Sequence, residues 1–247
     1  KENGTAYVAM PPLDGATLRR VVGERGSAPD EGELRGWLHP LLEALDALHA
    51  INCVHGDVTP DSIFITRDGP LLLGFGGGRH AIAQALRMPE DALMHGYAAP
   101  EQYRFDPSGS LLGPWTDLYA LGAVLCATMT GRAPSAARER LQRDDVLPIA
   151  AQVGHRFGAA LATAVDAALA VPPLDRPQNV AAMRSLLDGA APSPAARRGA
   201  RVTAAGRIDG EDSRRRSPRV DVYALALSAA TLLCLAAFAA IGYLLWR

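Results

Sequence analysis

Residues Asp117–Thr130 (DLYALGAVLCATMT) carry one charge in fourteen positions and are apolar on every side of a helical wheel. A helix of that kind has no face to offer water. It must sit at the centre of a domain with other elements packed round it, and Gly131 directly after it predicts its C-cap. Upstream, Asp30 with Glu33 three residues later predicts a helix start. The stripe Leu34, Trp37, Leu38, Leu41, Leu42, Leu45 and Leu48 then follows at helical spacing, with Pro40 expected to kink it. Ile63–Thr66 and Leu71–Leu73 flank Arg67-Asp68-Gly69-Pro70, which predicts a small hairpin with a D-G turn. Thr5–Met10 is a short strand candidate, and Ala/Leu-rich helices are expected near Phe157–Ala170 and Asn179–Leu187. Residues 1 to about 190 therefore predict one mostly α domain with short β hairpins.

Composition narrows the function classes. The 247 residues are 49% hydrophobic and 21% charged, with 25 basic against 26 acidic residues and a net charge of −1. That balance excludes wholesale disorder and argues against a nucleic-acid binder. Cys53, Cys126 and Cys234 are too few and scattered for a disulfide framework or a zinc site, which fits a reducing compartment. The six histidines, His39, His49, His55, His80, His95 and His155, show no ligand spacing and read as isolated core or surface residues. The only lysine is Lys1, so a mechanism needing a lysine inside the fold is not completed here. Leu71–Gly78 followed by RHAIAQAL is a poor dinucleotide fingerprint, because Arg79 stands at its third glycine and no βαβ unit surrounds it.

The C-terminal end obeys different physics. Val222–Trp246 is 25 residues without a charge. As a helix it would be ~37 Å long, enough to cross a ~30 Å hydrocarbon core with some tilt. Tyr223, Tyr243 and Trp246 fall at its ends, where aromatic rings favour the interface. Residues 191–221 are rich in Ala, Pro, Gly, Ser and Arg and read as a juxtamembrane linker. Arg214, Arg215, Arg216 and Arg219 lie nearest the span, which predicts residues 1–221 on the cytoplasmic side of the plasma membrane, inner in a bacterium, crossed once.

Three strings concentrate the chemistry: His55-Gly56-Asp57-Val58-Thr59-Pro60-Asp61-Ser62, then Gly74-Phe75-Gly76, then Ala98-Ala99-Pro100-Glu101-Gln102-Tyr103. Trp115-Thr116-Asp117 opens the central helix, and Asp175-Arg176-Pro177-Gln178 comes later. In order and spacing they resemble the C-terminal lobe of the protein kinase fold, most closely bacterial serine/threonine kinases, over residues 4–188. The resemblance implies that residues 1–13 are the last small-lobe strand and hinge, with residues 14–190 forming the large lobe. It places ATP contacts at Met10 (the gatekeeper place), Pro12, Leu13, Phe64 and Gly74. It also implies that the chain begins within a longer protein, with the rest of the small lobe upstream of Lys1.

The departures from the family pattern agree with one another. Asp57 keeps the catalytic-base position, but Gly74 replaces the metal-binding Asp, Ser62 the Asn and Thr59 the catalytic-loop Lys. The arginine that receives an activation-loop phosphate is Gly56, and no Ser, Thr or Tyr occurs between Gly76 and Tyr97. No residue set is expected to hold a metal; ATP remains a candidate ligand, with magnesium weak or absent. The expected function is a membrane-anchored pseudokinase, a signalling or scaffold module with unidentified protein partners. The alternative is an active atypical serine/threonine kinase relying on Asp57. Asp57 and His55 can also be retained for the fold alone.

Overall fold

The computed structural model describes residues 12–74, 93–104 and 111–191. The strand candidate Thr5–Met10, Met10 itself, most of the linker and the uncharged 222–246 segment lie outside the described residues. Among the described residues no helix is long and apolar enough to cross a membrane. The chain divides into two units, 1–206 and 207–247, and every described residue falls in the first.

The elements are β1 (Gly15–Thr17), α1 (Leu18–Arg25), α2 (Glu31–Ala50), β2 (Ile63–Thr66), β3 (Gly69–Leu72) and a 3₁₀ turn, Pro100–Tyr103. The helices α3 (Pro114–Thr130), α4 (Ala137–Gln142), α5 (Ile149–Val153), α6 (Ala159–Ala168) and α7 (Val180–Leu187) follow. Short 3₁₀ turns at Gly154–Arg156 and Pro173–Asp175 connect the last three helices.

α2 begins as expected, with Asp30 Oδ1 accepting the Glu33 amide at 2.8 Å and Glu31 and Glu33 facing the positive end of the helix dipole. Leu34, Leu38, Leu41, Leu42 and Leu45 are buried. The helix runs from Glu31 to Ala50 with Pro40 inside it. Proline removes one backbone donor there, and the buried leucines before and after it hold the helix to the core on both sides.

α3 is the centre. Thirteen of its 17 residues are buried, and Gly131 ends it in the left-handed conformation, with its amide donating to Ala127 O at 2.8 Å. α3 meets α6 closely at Gly122, where an added Cβ would lie 2.8 Å from the Ala168 methyl. Leu42 and Leu45 of α2, Leu118 and Leu121 of α3, Leu161 of α6 and Met183 of α7 join in one core.

The three strands form an antiparallel sheet in the order β1-β2-β3. The hairpin forms where expected, but its turn slips by one residue: Thr66 pairs with Gly69, leaving Arg67-Asp68 as the loop. The Thr66 hydroxyl donates to Gly69 O at 2.8 Å and accepts the Asp68 amide at 3.2 Å, so a side chain selects the register. Pro70 follows on the edge strand, where its missing amide is tolerated.

α5 is capped from outside its own segment. Asp166 of α6 accepts the Ile149 amide at 2.9 Å, and burial pushes its carboxyl up to about 6, against the opposing pull of that bond and of Arg140. A folded-state value above the ordinary one means that the native protein holds an extra proton between pH 4 and 6. The associated stability is present below the unfolded value and is lost as pH rises through 6. Asp166→Asn keeps the acceptor and removes the charge. Thermal melts should show the variant more stable than the parent at pH 7.5, by about 3 kcal/mol, and nearly equal to it at pH 4.

Candidate functional site

The loop between α2 and β2 is organised by a single carboxylate. Asp117, wholly buried in the first turn of α3, accepts the His55 amide and the Gly56 amide at 2.8 Å each. It also accepts the His49 ring Nε2–H at 2.8 Å. These donors hold the loop onto α3 and satisfy a charge that would otherwise be very costly to bury.

His55 extends this order to the hairpin. Burial pushes its pKa down, with Asp117 acting in the opposite sense, so the ring is neutral at pH 7. The tautomer with the proton on Nε2 donates to Leu73 O at 3.2 Å and accepts the Asp57 amide on Nδ1 at 3.3 Å. The Leu73 amide donates to Ser62 O at 2.7 Å. Through Leu73 these bonds link the His55 ring, and with it the Asp57 backbone, to Ser62 at the hairpin exit. Half-buried Asp57 lines a shallow, solvent-open depression with Gly56, Thr59, Met94 and Tyr97.

The side chains at the replaced positions are committed elsewhere. Ser62 Oγ donates to Thr59 O at 3.0 Å and accepts the Thr59 amide at 2.8 Å. Thr59 Oγ1 accepts the Ser62 amide at 3.2 Å, so the two residues close a turn on themselves, both buried. Gly74 is exposed with φ +70° and has no atom within 4 Å of where a Cβ would stand. Both Asp61 carboxylate oxygens are held by Arg19 Nε, at 2.8 and 2.9 Å. Magnesium wants several unencumbered hard oxygens in octahedral array. A glycine, a hydroxyl bound to backbone and an acid paired with arginine do not fit that requirement. Among the described residues no group of three or more His, Cys, Asp or Glu is placed to hold a metal.

The expected nucleotide contacts are only partly brought together. Pro12 and Leu13 are exposed, Leu13 by 37%. Phe64, half-buried on β2, lies with its ring against Gly15, two residues after Leu13, and pairs with Thr17 and Leu71 across the sheet. β1 and α1 were not expected from the sequence. They matter here because Arg19 belongs to α1.

The segment 93–104 packs against the loop through two buried polar residues. Glu101 meets Arg176 in a two-pronged pair at 2.8 and 3.0 Å and accepts the Thr116 hydroxyl at 2.8 Å. Arg176 further donates to Ala170 O and Val171 O and stacks 4.7 Å from the Tyr119 ring centre. Gln102 accepts the Ala99 amide at 2.9 Å and donates to Gly56 O at 2.8 Å. Sequence reasoning named Gln102 without a role, read His49 as an isolated residue and passed over Arg19; a lone Gln, Arg or His carries no spacing signal.

Known proteins agree with this geometry. Residues 1–163 match the family described as protein kinase domain. The chain is 30% identical over 200 residues to the serine/threonine-protein kinase PknL of Mycobacterium tuberculosis (strain ATCC 25618 / H37Rv), covering 77% of this chain and 48% of that relative. A probable serine/threonine-protein kinase, PkwA of Thermomonospora curvata, is 35% identical over 131 residues, 52% of this chain and 17% of the relative. The chain thus spans less than half the length of these curated relatives. The solved structure "PpkA-294 apo form" superposes with a TM-score of 0.68 at 36% identity, covering 76% of this chain and 65% of that one. The Mycobacterium tuberculosis PknI kinase domain shares the fold at a TM-score of 0.53 and 21% identity, covering 72% of this chain and 62% of that one. With its loop, hairpin and buried Glu–Arg pair arranged on α3, the chain belongs to the protein kinase family and is similar to its bacterial serine/threonine members.

Proposed function

We propose that this chain is a pseudokinase: a kinase-fold signalling or scaffold module whose magnesium-dependent phosphotransfer is impaired. The observation that carries the reading is the Thr59–Ser62 turn together with Gly74. Kinase catalysis is mostly positioning and charge neutralisation round the transferring phosphate. Here the positions that would supply two metal ligands and a lysine supply none, and the serine oxygen is already bonded to backbone. Losing one preorganised charge-stabilising group costs about 10²–10³ in rate. Three such losses amount to several orders of magnitude even if they do not multiply.

One observation favours the second reading, an active atypical serine/threonine kinase. The backbone of Asp57 is held by the His55 ring, and His55 and Gly56 by Asp117, so the base position is kept in order. The same bonds serve a purely structural role. In either reading the protein partners or substrates act at the cytoplasmic face, nucleic acid is not among them, and residues 222–246 anchor the chain in the plasma membrane.

Three measurements test this. The full-length protein, incubated with labelled ATP and magnesium or manganese, should label no more than its Asp57→Asn variant; labelling lost in that variant would establish the active kinase instead. Gly74→Asp restores a carboxylate at an open position whose left-handed backbone Asp tolerates better than most residues. Combined with Ser62→Asn, it should raise the melting temperature shift produced by magnesium-ATP over that of the parent. An unchanged shift would show that the metal ligands are not what the site lacks. Full-length protein should stay in the membrane pellet through alkaline carbonate washing and move to the supernatant when 222–246 are deleted; release of the intact protein would refute the anchor.

A further inference from the structure

The loop that carries Asp57 is tied to α3 by Asp117 through the His55 and Gly56 amides, and a second tie, to Gly56 O, comes from Gln102. Gln102, 2% exposed, uses both ends of its side-chain amide. Its Oε1 accepts the Ala99 amide at 2.9 Å, and its Nε2 donates to Gly56 O at 2.8 Å. Ala99 is itself fully buried, and Gly56 stands with φ +74°, one residue before Asp57. A single neutral side chain therefore spans 46 positions of sequence and joins the Ala98–Tyr103 segment to the loop that carries Asp57.

We infer that Gln102 is a positioning residue, a built-in clamp that locks the 97–103 segment to the Asp57 loop without any phosphate. The geometry supports a lock and not mere filling of space. The amide is oriented by an acceptor on one loop and a donor on the other, so its two bonds cannot both form unless the loops are in register. Between Gly76 and Tyr97 no hydroxyl-bearing residue exists to carry a phosphate. The clamp is neutral, so it holds at any ionic strength and needs no modifying enzyme. The two loops then present one preformed surface round the depression beside Asp57. This inference goes beyond the pseudokinase reading and does not depend on whether phosphate is transferred.

Hydrogen exchange on the full-length protein tests the clamp directly. Peptides covering 54–58 and 97–100 report the two loops, and a peptide covering 118–126 of α3 reports global opening. Gln102→Met keeps the length and loses both bonds. It should exchange roughly tenfold faster in both loop peptides, the size expected for losing one buried hydrogen bond, with α3 unchanged. Gln102→Glu keeps the acceptor for Ala99 but at pH 8 turns a carboxylate oxygen toward Gly56 O. It should loosen 54–58 alone at pH 8, and recover toward the rate of the parent measured at the same pH by pH 4, below the ordinary carboxyl value of about 4.3, where the protonated acid donates again. Equal acceleration in the α3 peptide would reduce Gln102 to a packing residue. Loop exchange matching the parent in both variants, or a Glu variant that loosens 54–58 equally at pH 4 and pH 8, would overturn the clamp. Where the Met variant does not fold, the pH response of the Glu variant decides. None of these outcomes alters the labelled-ATP result, so the two proposals fail separately.

Discussion

A carboxylate sealed from water must collect donors, and Asp117 collects them from one distant stretch of the chain, residues 49–56. Its oxygens take the His55 and Gly56 amides and the His49 ring, while its own backbone belongs to the most buried helix of the structure. The loop carrying Asp57 could not keep its course without that charge, since the His55 and Gly56 amides would be left unsatisfied beside the core. From this anchor the order spreads outward. His55 reaches the hairpin exit at Leu73, the Leu73 amide bonds Ser62 O, and Gln102 ties Gly56 to the segment that carries the Glu101–Arg176 pair.

The network separates two kinds of residue that a shared family pattern runs together. Asp117, Glu101, Arg176 and His55 satisfy buried polar groups, and removing any one would strand its partners. Residues at 59, 62 and 74 touch nothing that the fold needs in charged form. Thr59 and Ser62 close on each other as an ordinary turn, and Gly74 stands open, so the core charges and these three positions are held by different contacts.

Much of the architecture was legible in periodicity. The leucine stripe of α2, its Asp30 cap, the all-round apolar α3 with its glycine stop, and the helix expected near Asn179–Leu187 all appear where local chemistry places them. The departures are equally instructive. The hairpin turn shifts by one residue, where the Thr66 hydroxyl bonds Gly69 O and the Asp68 amide. β1 and α1 went unnoticed: three residues of strand and a helix with only Leu18 buried leave almost no pattern to detect.

The sequence by itself determined the family, the central helix and the identity of the residues at each chemical position, because those depend on local spacing and side-chain type. Only the tertiary structure decided what each side chain does. It turned the Ser62 oxygen onto Thr59, engaged Asp61 with Arg19, recruited His49 to Asp117 and made Gln102 a bridge between loops. Those assignments follow from hydrogen-bond satisfaction among residues remote in sequence, and a polar side chain's partner is set by which donors and acceptors the folded core leaves within reach.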